Sequence, residues 1–159
     1  MSKNTETLRH GEFNSFLSVP LVSLAVTLEG GEMEKEFYYK DLTERVIAAA
    51  IEVHRQHGPG LLESVYEECL CKEFSLRGIP FEKQKPLPLQ YKGLKLDCGY
   101  RIDIVVENKV VIELKCVDAI APVHEAQLLT YLRLSGLKVG LIINFYTAVL
   151  RDGIRRMVL

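Results

Sequence analysis

Three residues have types and spacing that could do chemistry together: Asp103, Glu113 and Lys115. Glu113 and Lys115 are separated by one residue in the apolar run Val110 to Cys116, so on a strand they share one face while Ile112, Leu114 and Cys116 take the other. In the preceding run, Leu94, Leu96, Cys98, Tyr100, Ile102 and Ile104 alternate with Lys95, Asp97, Gly99, Arg101, Asp103 and Val105. This predicts one long strand with one strongly apolar face. Glu107-Asn108-Lys109 supplies the turn between the two runs, Asn being able to take the left-handed conformation. If the turn is symmetric over 107–109, Asp103 faces Glu113 across the hairpin and Arg101 faces Lys115. Directly opposed side chains stand about 4.5–5.5 Å apart at Cβ, where two negative charges repel, so something cationic should sit between the acids. A two-residue turn would send them to opposite faces, and the inference rests on that parity.

Two carboxylates plus water suit a hard divalent ion such as Mg²⁺ or Mn²⁺. Lys115 would not be a ligand. Its ammonium can orient and stabilise a nucleophile attacking phosphorus, while the ion offsets charge on the transition state. The reaction implied is phosphodiester hydrolysis.

An Asp, a short spacer and then Glu-x-Lys resembles the PD-(D/E)XK nuclease superfamily, with Ile102 where the motif usually has proline. The segment Gly60-Leu61-Leu62-Glu63-Ser64-Val65-Tyr66 is similar to GxxExxY, the signature that names a bacterial family within that superfamily. The resemblance spans about Phe37 to Leu159. It implies a metal-dependent nuclease acting on nucleic acid, DNA ahead of RNA, with Mg²⁺ or Mn²⁺ as cofactor and a homodimer as a possible assembly.

By the same resemblance Glu63 is a third acidic group supporting the metal, and the first turn of a helix does favour carboxylates. The alternative is a helix-start acid that only complements the dipole. Tyr66 and Glu67 share its face, Tyr66 reading as core and Glu67 as a weaker candidate. Gln127 and Tyr131 lie four apart on one helix face and match the QxxxY motif of the superfamily's helicase-associated exonuclease branch, where such residues support the substrate or the site. His54 sits among the apolar positions of its helix and reads as a core histidine, but an upstream histidine ligand in that branch makes it a candidate metal ligand. His57 and His124 read as solvent-facing. No iron–sulfur cluster is expected, because the downstream cysteine triplet is missing.

The elements that must position these residues are read from periodicity. Val46, Ile47, Ala50, Ile51, Val53 and His54 predict a helix over about 41–57, with Asp41 or Thr43 as its cap. Gly58-Pro59-Gly60 breaks the pattern, and Leu62, Val65, Tyr66, Cys69, Leu70 and Phe74 predict a second helix over about 61–77. A strand over 81–90 carries Pro86 and Pro88, which suit a sheet edge, and Lys92-Gly93 turns the chain into the hairpin. A helix over 122–135, an apolar strand over 138–146 and a last strand within 148–159 complete the order. The fold class is α/β: a restriction-endonuclease-like core, a mixed β-sheet flanked by helices, with an N-terminal helical hairpin.

Composition sets the outer bounds. The chain has 159 residues and is 48% hydrophobic, enough for one domain with a real core, which excludes a disordered chain. A net charge of -1 provides no global attraction for nucleic acid or anionic lipid, so any such contact must be local. Lys83, Lys85, Lys92, Lys95, Arg101, Arg151, Arg155 and Arg156 are the basic residues available to phosphates, or they form solvated faces and edge protection. The four cysteines lack paired CxxC spacing and read as reduced thiols, consistent with a cytoplasmic protein. The apolar run Phe16 to Leu28 is interrupted by Pro20 and falls short of the ~20 residues a membrane span needs, and it lacks the features of a secretory signal.

Glu29-Gly30-Gly31-Glu32 before Met33 would be encoded by a purine-rich stretch like a ribosome-binding sequence. Residues 1–32 therefore read as an extension upstream of a native start at Met33, with 33–159 as the nuclease-like domain. The competing reading is an N-terminal strand that covers the domain. Two other functions stay open: a non-catalytic nuclease-like interaction or regulatory module, and a structural domain in which D...ExK is only a salt-bridged hairpin.

Overall fold

The computed structural model describes residues 38–96 and 100–159. Both readings of residues 1–32 therefore lie outside the described residues, as does the middle of the expected long strand at 97–99.

Helix α1 (Lys40–His57) buries Val46, Ala50 and Val53 of the expected stripe together with Leu42 and Ala49, while Ile47, Ile51 and His54 are partly buried at its edge. The expected caps are not caps. The helix starts one residue earlier than anticipated, so Asp41 falls inside the first turn and the Thr43 hydroxyl donates back to the Lys40 carbonyl at 2.8 Å. Gly58 (φ 64°) and Gly60 (φ 115°) then turn the chain in conformations that side-chain-bearing residues resist, and α2 (Glu63–Leu76) runs back along α1.

The strands are β1 (Phe81–Pro86), β2 (Leu89–Tyr91), β3 (Leu94–Leu96), β4 (Arg101–Val106), β5 (Val110–Lys115), β6 (Val139–Asn144) and β7 (Ile154–Val158). Five of them form a mixed sheet in the order β1-β4-β5-β6-β7, in which only β5 and β6 run parallel. A parallel pair needs a crossover, and α3 (Pro122–Ser135) provides it. Helices α1 and α2 cover one face with Ile104, Ile112, Leu114, Leu141 and Ile143; α3 covers the other with Ile102, Val105, Val111 and Ile142. All six residues of β6 are buried, as a strand covered on both faces requires. This is the α/β, restriction-endonuclease-like arrangement.

Two expected strands are shorter than the sequence pattern suggests. The run 81–90 divides at Pro86: β1 stays in the main sheet, while β2 leaves it and pairs only with β3 in a two-stranded sheet turned by Lys92 (φ 46°) and Gly93 (φ 85°). The long strand expected from Leu94 is thus split between two sheets, because β3 pairs with β2 while β4 sits between β1 and β5. Its alternation also breaks. Ile102 and Ile104, two apart, pack into opposite cores, so the backbone changes phase at Asp103.

A 3-10 turn (Leu150–Gly153) leads into β7. A Cβ added at Gly153 would clash with the Asn144 carbonyl oxygen, an atom of the backbone that cannot rotate away. Gly153→Ala is expected to destabilise the fold by about 1–3 kcal/mol. Urea denaturation checks this, and an unchanged midpoint would contradict the contact.

Candidate active site

The turn after β4 spans 107–109, with Glu107 (φ 49°) and Asn108 (φ 51°) left-handed and the Lys109 amide donating to the Val106 carbonyl at 2.9 Å. The register that follows, Val106↔Val110, Val105↔Val111 and Ile104↔Ile112, has the parity of a three-residue turn and ends one residue short of Asp103. Beyond Ile104 a side chain takes over: Asp103 Oδ2 accepts the Leu114 N–H at 2.8 Å. On the other flank of β4, Lys83 pairs with Ile104 and Lys85 with Ile102, and Gln84 between them is left-handed at φ 52°. The phase change in β4 and the distortion in β1 thus fall at the same level of the sheet.

Glu113 is only 2% exposed. Its Oε1 accepts from Lys115 Nζ at 2.7 Å, and its Oε2 is buried with no hydrogen-bond partner. Burial, reinforced by the charge of Asp103, pushes the Glu113 carboxyl up to about 7 despite the lysine. Burial also raises Asp103, against the opposing pull of the Leu114 amide and Lys115. For Lys115, burial disfavours the charge, but the hydrogen bond and charge of Glu113, with Glu63 and Asp103 behind it, more than compensate, and its pKa is raised. Lys115 is therefore protonated at neutral pH, a donor and not a base.

A buried carboxylate oxygen without a donor costs about 1–3 kcal/mol or more, and a proton or a cation removes that cost. The two acids offer the hard oxygen donors that a divalent ion takes, so the residues fit the cofactor of this chemistry. Among the described residues no group of three or more His, Cys, Asp or Glu side chains converges on one point. Asp103 and Glu113 would hold such an ion, with water and substrate phosphate completing its shell.

The other sequence candidates are distributed as follows. Glu63 begins α2, is exposed, and its charge bears on Asp103, Glu113 and Lys115. Tyr66, three residues on, is fully buried, stacks on Phe145 at 4.3 Å, donates to the Gly58 carbonyl at 2.5 Å and accepts the Leu61 N–H at 3.2 Å. In this segment, then, the glycine makes the turn, the tyrosine clamps it, and the glutamate opens the helix that follows. The Glu67 carboxyl is raised by burial and by the charge of Asp103, and it accepts from Gln84 Nε2 on β1.

Gln127 donates to the Tyr131 hydroxyl at 2.8 Å, and Tyr131, 5% exposed, feels the charges of Glu113 and Asp103. His54 is not grouped with the carboxylates; its Nε2 is bonded to the Thr147 carbonyl at 2.8 Å. His124, expected in solvent, is half-buried and accepts the Ala121 N–H at 3.1 Å, a lid on the start of α3. Arg101 is exposed and paired in register with Pro86. Several basic residues are already engaged, Lys83 with Glu68 at 2.6 Å, Lys85 with Glu82 at 3.0 Å and Arg156 with the Tyr38 carbonyl at 2.7 Å.

Asn144 is not singled out by sequence, since one asparagine ending an apolar run reads as a turn residue. It is 1% exposed, accepts the Val117 and Tyr146 amides at 3.1 and 3.2 Å, and donates to the Val117 carbonyl at 2.7 Å. With the Phe145 amide on the Lys115 carbonyl at 2.8 Å, it fastens the end of β5 just beyond the site.

The raised carboxyl has a consequence for stability. The folded chain binds the Glu113 proton more tightly than the unfolded one, so its contribution declines as pH rises from about 4.5 to about 7. Glu113→Gln should remove that decline and be more stable than wild type above pH 7 by about 1–3 kcal/mol. Urea midpoints at pH 5 and pH 8 with chelator present check this, and parallel profiles for the two proteins would contradict it.

The model of the PD-(D/E)XK nuclease superfamily matches residues 40–157, from the start of α1 almost to the end of β7. No curated protein and no solved structure matches the chain. No helix among the described residues is long and apolar enough to cross a membrane. The mixed sheet, its flanking helices and the family match lead to one conclusion: the chain belongs to the PD-(D/E)XK nuclease superfamily.

Proposed function

We propose that this chain is a nuclease that hydrolyses phosphodiester bonds with Mg²⁺ or Mn²⁺, and that its place within the superfamily is the GxxExxY group. The observation that carries the reading is the partnerless, buried Oε2 of Glu113 beside Asp103 and Lys115. Superfamily members typically use divalent metals, and Asp103 and Glu113 are the residues that would hold one here. When bound, such an ion offsets negative charge developing on the phosphate. Lys115, protonated and held by Glu113, donates to the attacking water or to a phosphate oxygen and stabilises the charge that forms there. Glu63 and Glu67 add negative potential that favours cation uptake. Gln127 and Tyr131, hydrogen-bonded to each other, support the site from α3. DNA is the first substrate to test, and duplex cleavage would fit a homodimer that addresses both strands.

The test is a cleavage panel of single- and double-stranded DNA and RNA with Mg²⁺ or Mn²⁺. Asp103→Ala should abolish cleavage, and Asp103→Asn, which keeps an acceptor for the Leu114 amide, should do the same while remaining folded. Lys115→Ala should lose at least about 100-fold in rate yet still take up metal by calorimetry. Cleavage surviving either Asp103 substitution removes the catalytic assignment. Metal uptake with no turnover on the whole panel would make the chain a nuclease-like interaction module instead.

A further inference from the structure

Between α3 and β2, with Tyr100 at its edge, lies an open pocket of about 310 Å³. Its walls include Tyr100, Val123, Gln127, Tyr131 and Leu134. The composition is unusual for free surface. Tyr100 is 49% exposed and meets the Tyr131 ring edge-on, centroids 6.4 Å apart, and Val123 is 66% exposed. The polar groups within it are few: the Gln127 amide and Tyr131 hydroxyl, bonded to each other, and the Thr130 hydroxyl. Tyr131, which lines this pocket, packs in the same core as Ile102, the neighbour of Asp103, and feels the charges of Glu113 and Asp103, so the pocket lies near the acid site.

We propose that this pocket receives an unpaired nucleobase from the strand whose phosphate lies at Asp103 and Glu113, so that the substrate is single-stranded or frayed nucleic acid. The inference rests on the nuclease reading and narrows its substrate class. Aromatic and aliphatic walls with a few polar groups match a base, which offers π faces and a hydrogen-bonding edge. A base still paired in a duplex cannot enter without leaving its stack.

Charge points the same way. Duplex binding without base contacts depends on phosphate neutralisation by Lys and Arg. Here the chain carries a net charge of -1, and Lys83 and Lys85 on the strand beside β4 are already paired with acids. Stacking, which favours every base whatever its sequence, is the stronger attraction this surface can offer. The β2–β3 hairpin at its rim adds Tyr91, 61% exposed, with the Lys92 ammonium 5.5 Å from its ring centroid, an aromatic and a charge for the continuing strand.

The test uses the full chain and a short fluorescent DNA oligonucleotide carrying 2-aminopurine, single-stranded or annealed as a blunt duplex. Binding is read by anisotropy and base insertion by quenching of 2-aminopurine. Wild type should prefer the single strand and quench the probe. Ala126→Trp, which fills the pocket from an α3 position lining it, and Tyr100→Ala should each lower the single-strand preference about tenfold and relieve quenching, while Tyr100→Phe retains both. Unchanged preference and quenching in Ala126→Trp would overturn the proposal while leaving the nuclease reading intact. So would a changed sedimentation coefficient in that variant without a change in binding, which would give the pocket to a second copy. Increased proteolysis of residues 1–32 in that variant with binding unchanged would give it to the chain's own N-terminus, and also overturns the proposal. Pocket-dependent binding with no cleavage by any form would instead remove the nuclease reading and keep the base pocket.

Discussion

The site depends on one hydrogen bond: the Asp103 carboxylate accepting the Leu114 amide. An ordinary antiparallel ladder would fill that amide with a backbone carbonyl and keep β4 in phase. With a side chain as acceptor, the strand shifts phase between Ile104 and Ile102, each isoleucine enters a different core, and Asp103 is held beside the strand that carries Glu113. A half-buried acid is thereby set near a fully buried one, where water screens their charges poorly. The fold tolerates this because Lys115 satisfies one oxygen of Glu113, and because the other oxygen can take a proton at modest pH or a cation above it.

The surrounding structure makes that arrangement rigid. Tyr66 ties the Gly58–Gly60 turn to the core and so fixes where α2 begins, which places Glu63 and Glu67 within electrostatic range of the acids. Asn144 fastens the loop after β5 to the end of β6, and Gly153 lets the chain pass close against the Asn144 carbonyl. These contacts touch no substrate. They hold the carboxylates in positions that their mutual repulsion would otherwise loosen, which is the usual relation between an active site and the scaffold that opposes its strain.

Much of this was legible in the sequence because it is local. Helical spacing gave α1, α2 and α3, and the parity of the 107–109 turn gave the pairing of β4 with β5 that the register shows up to Ile104↔Ile112. The D...ExK spacing led to the superfamily that the family match shows. What could not be read was non-local. Nothing in the alternation of 94–105 reveals that β3 pairs with β2 outside the main sheet, or that a side chain replaces a carbonyl at Leu114. Gln84 has no motif, and its place follows only from the pairing of β1 with β4. His54, read from its apolar helix face as a core histidine and kept as a candidate ligand only by resemblance, is bonded to a carbonyl 93 residues away that no local pattern could reveal.

The most direct measurement is a ¹³C NMR titration of the Glu113 carboxyl, with and without Mg²⁺. A midpoint near 7 is expected without metal, falling to lower pH as Mg²⁺ is added and displaces the proton. A midpoint near the ordinary 4.5 that does not move with Mg²⁺ would contradict the shared-cation site.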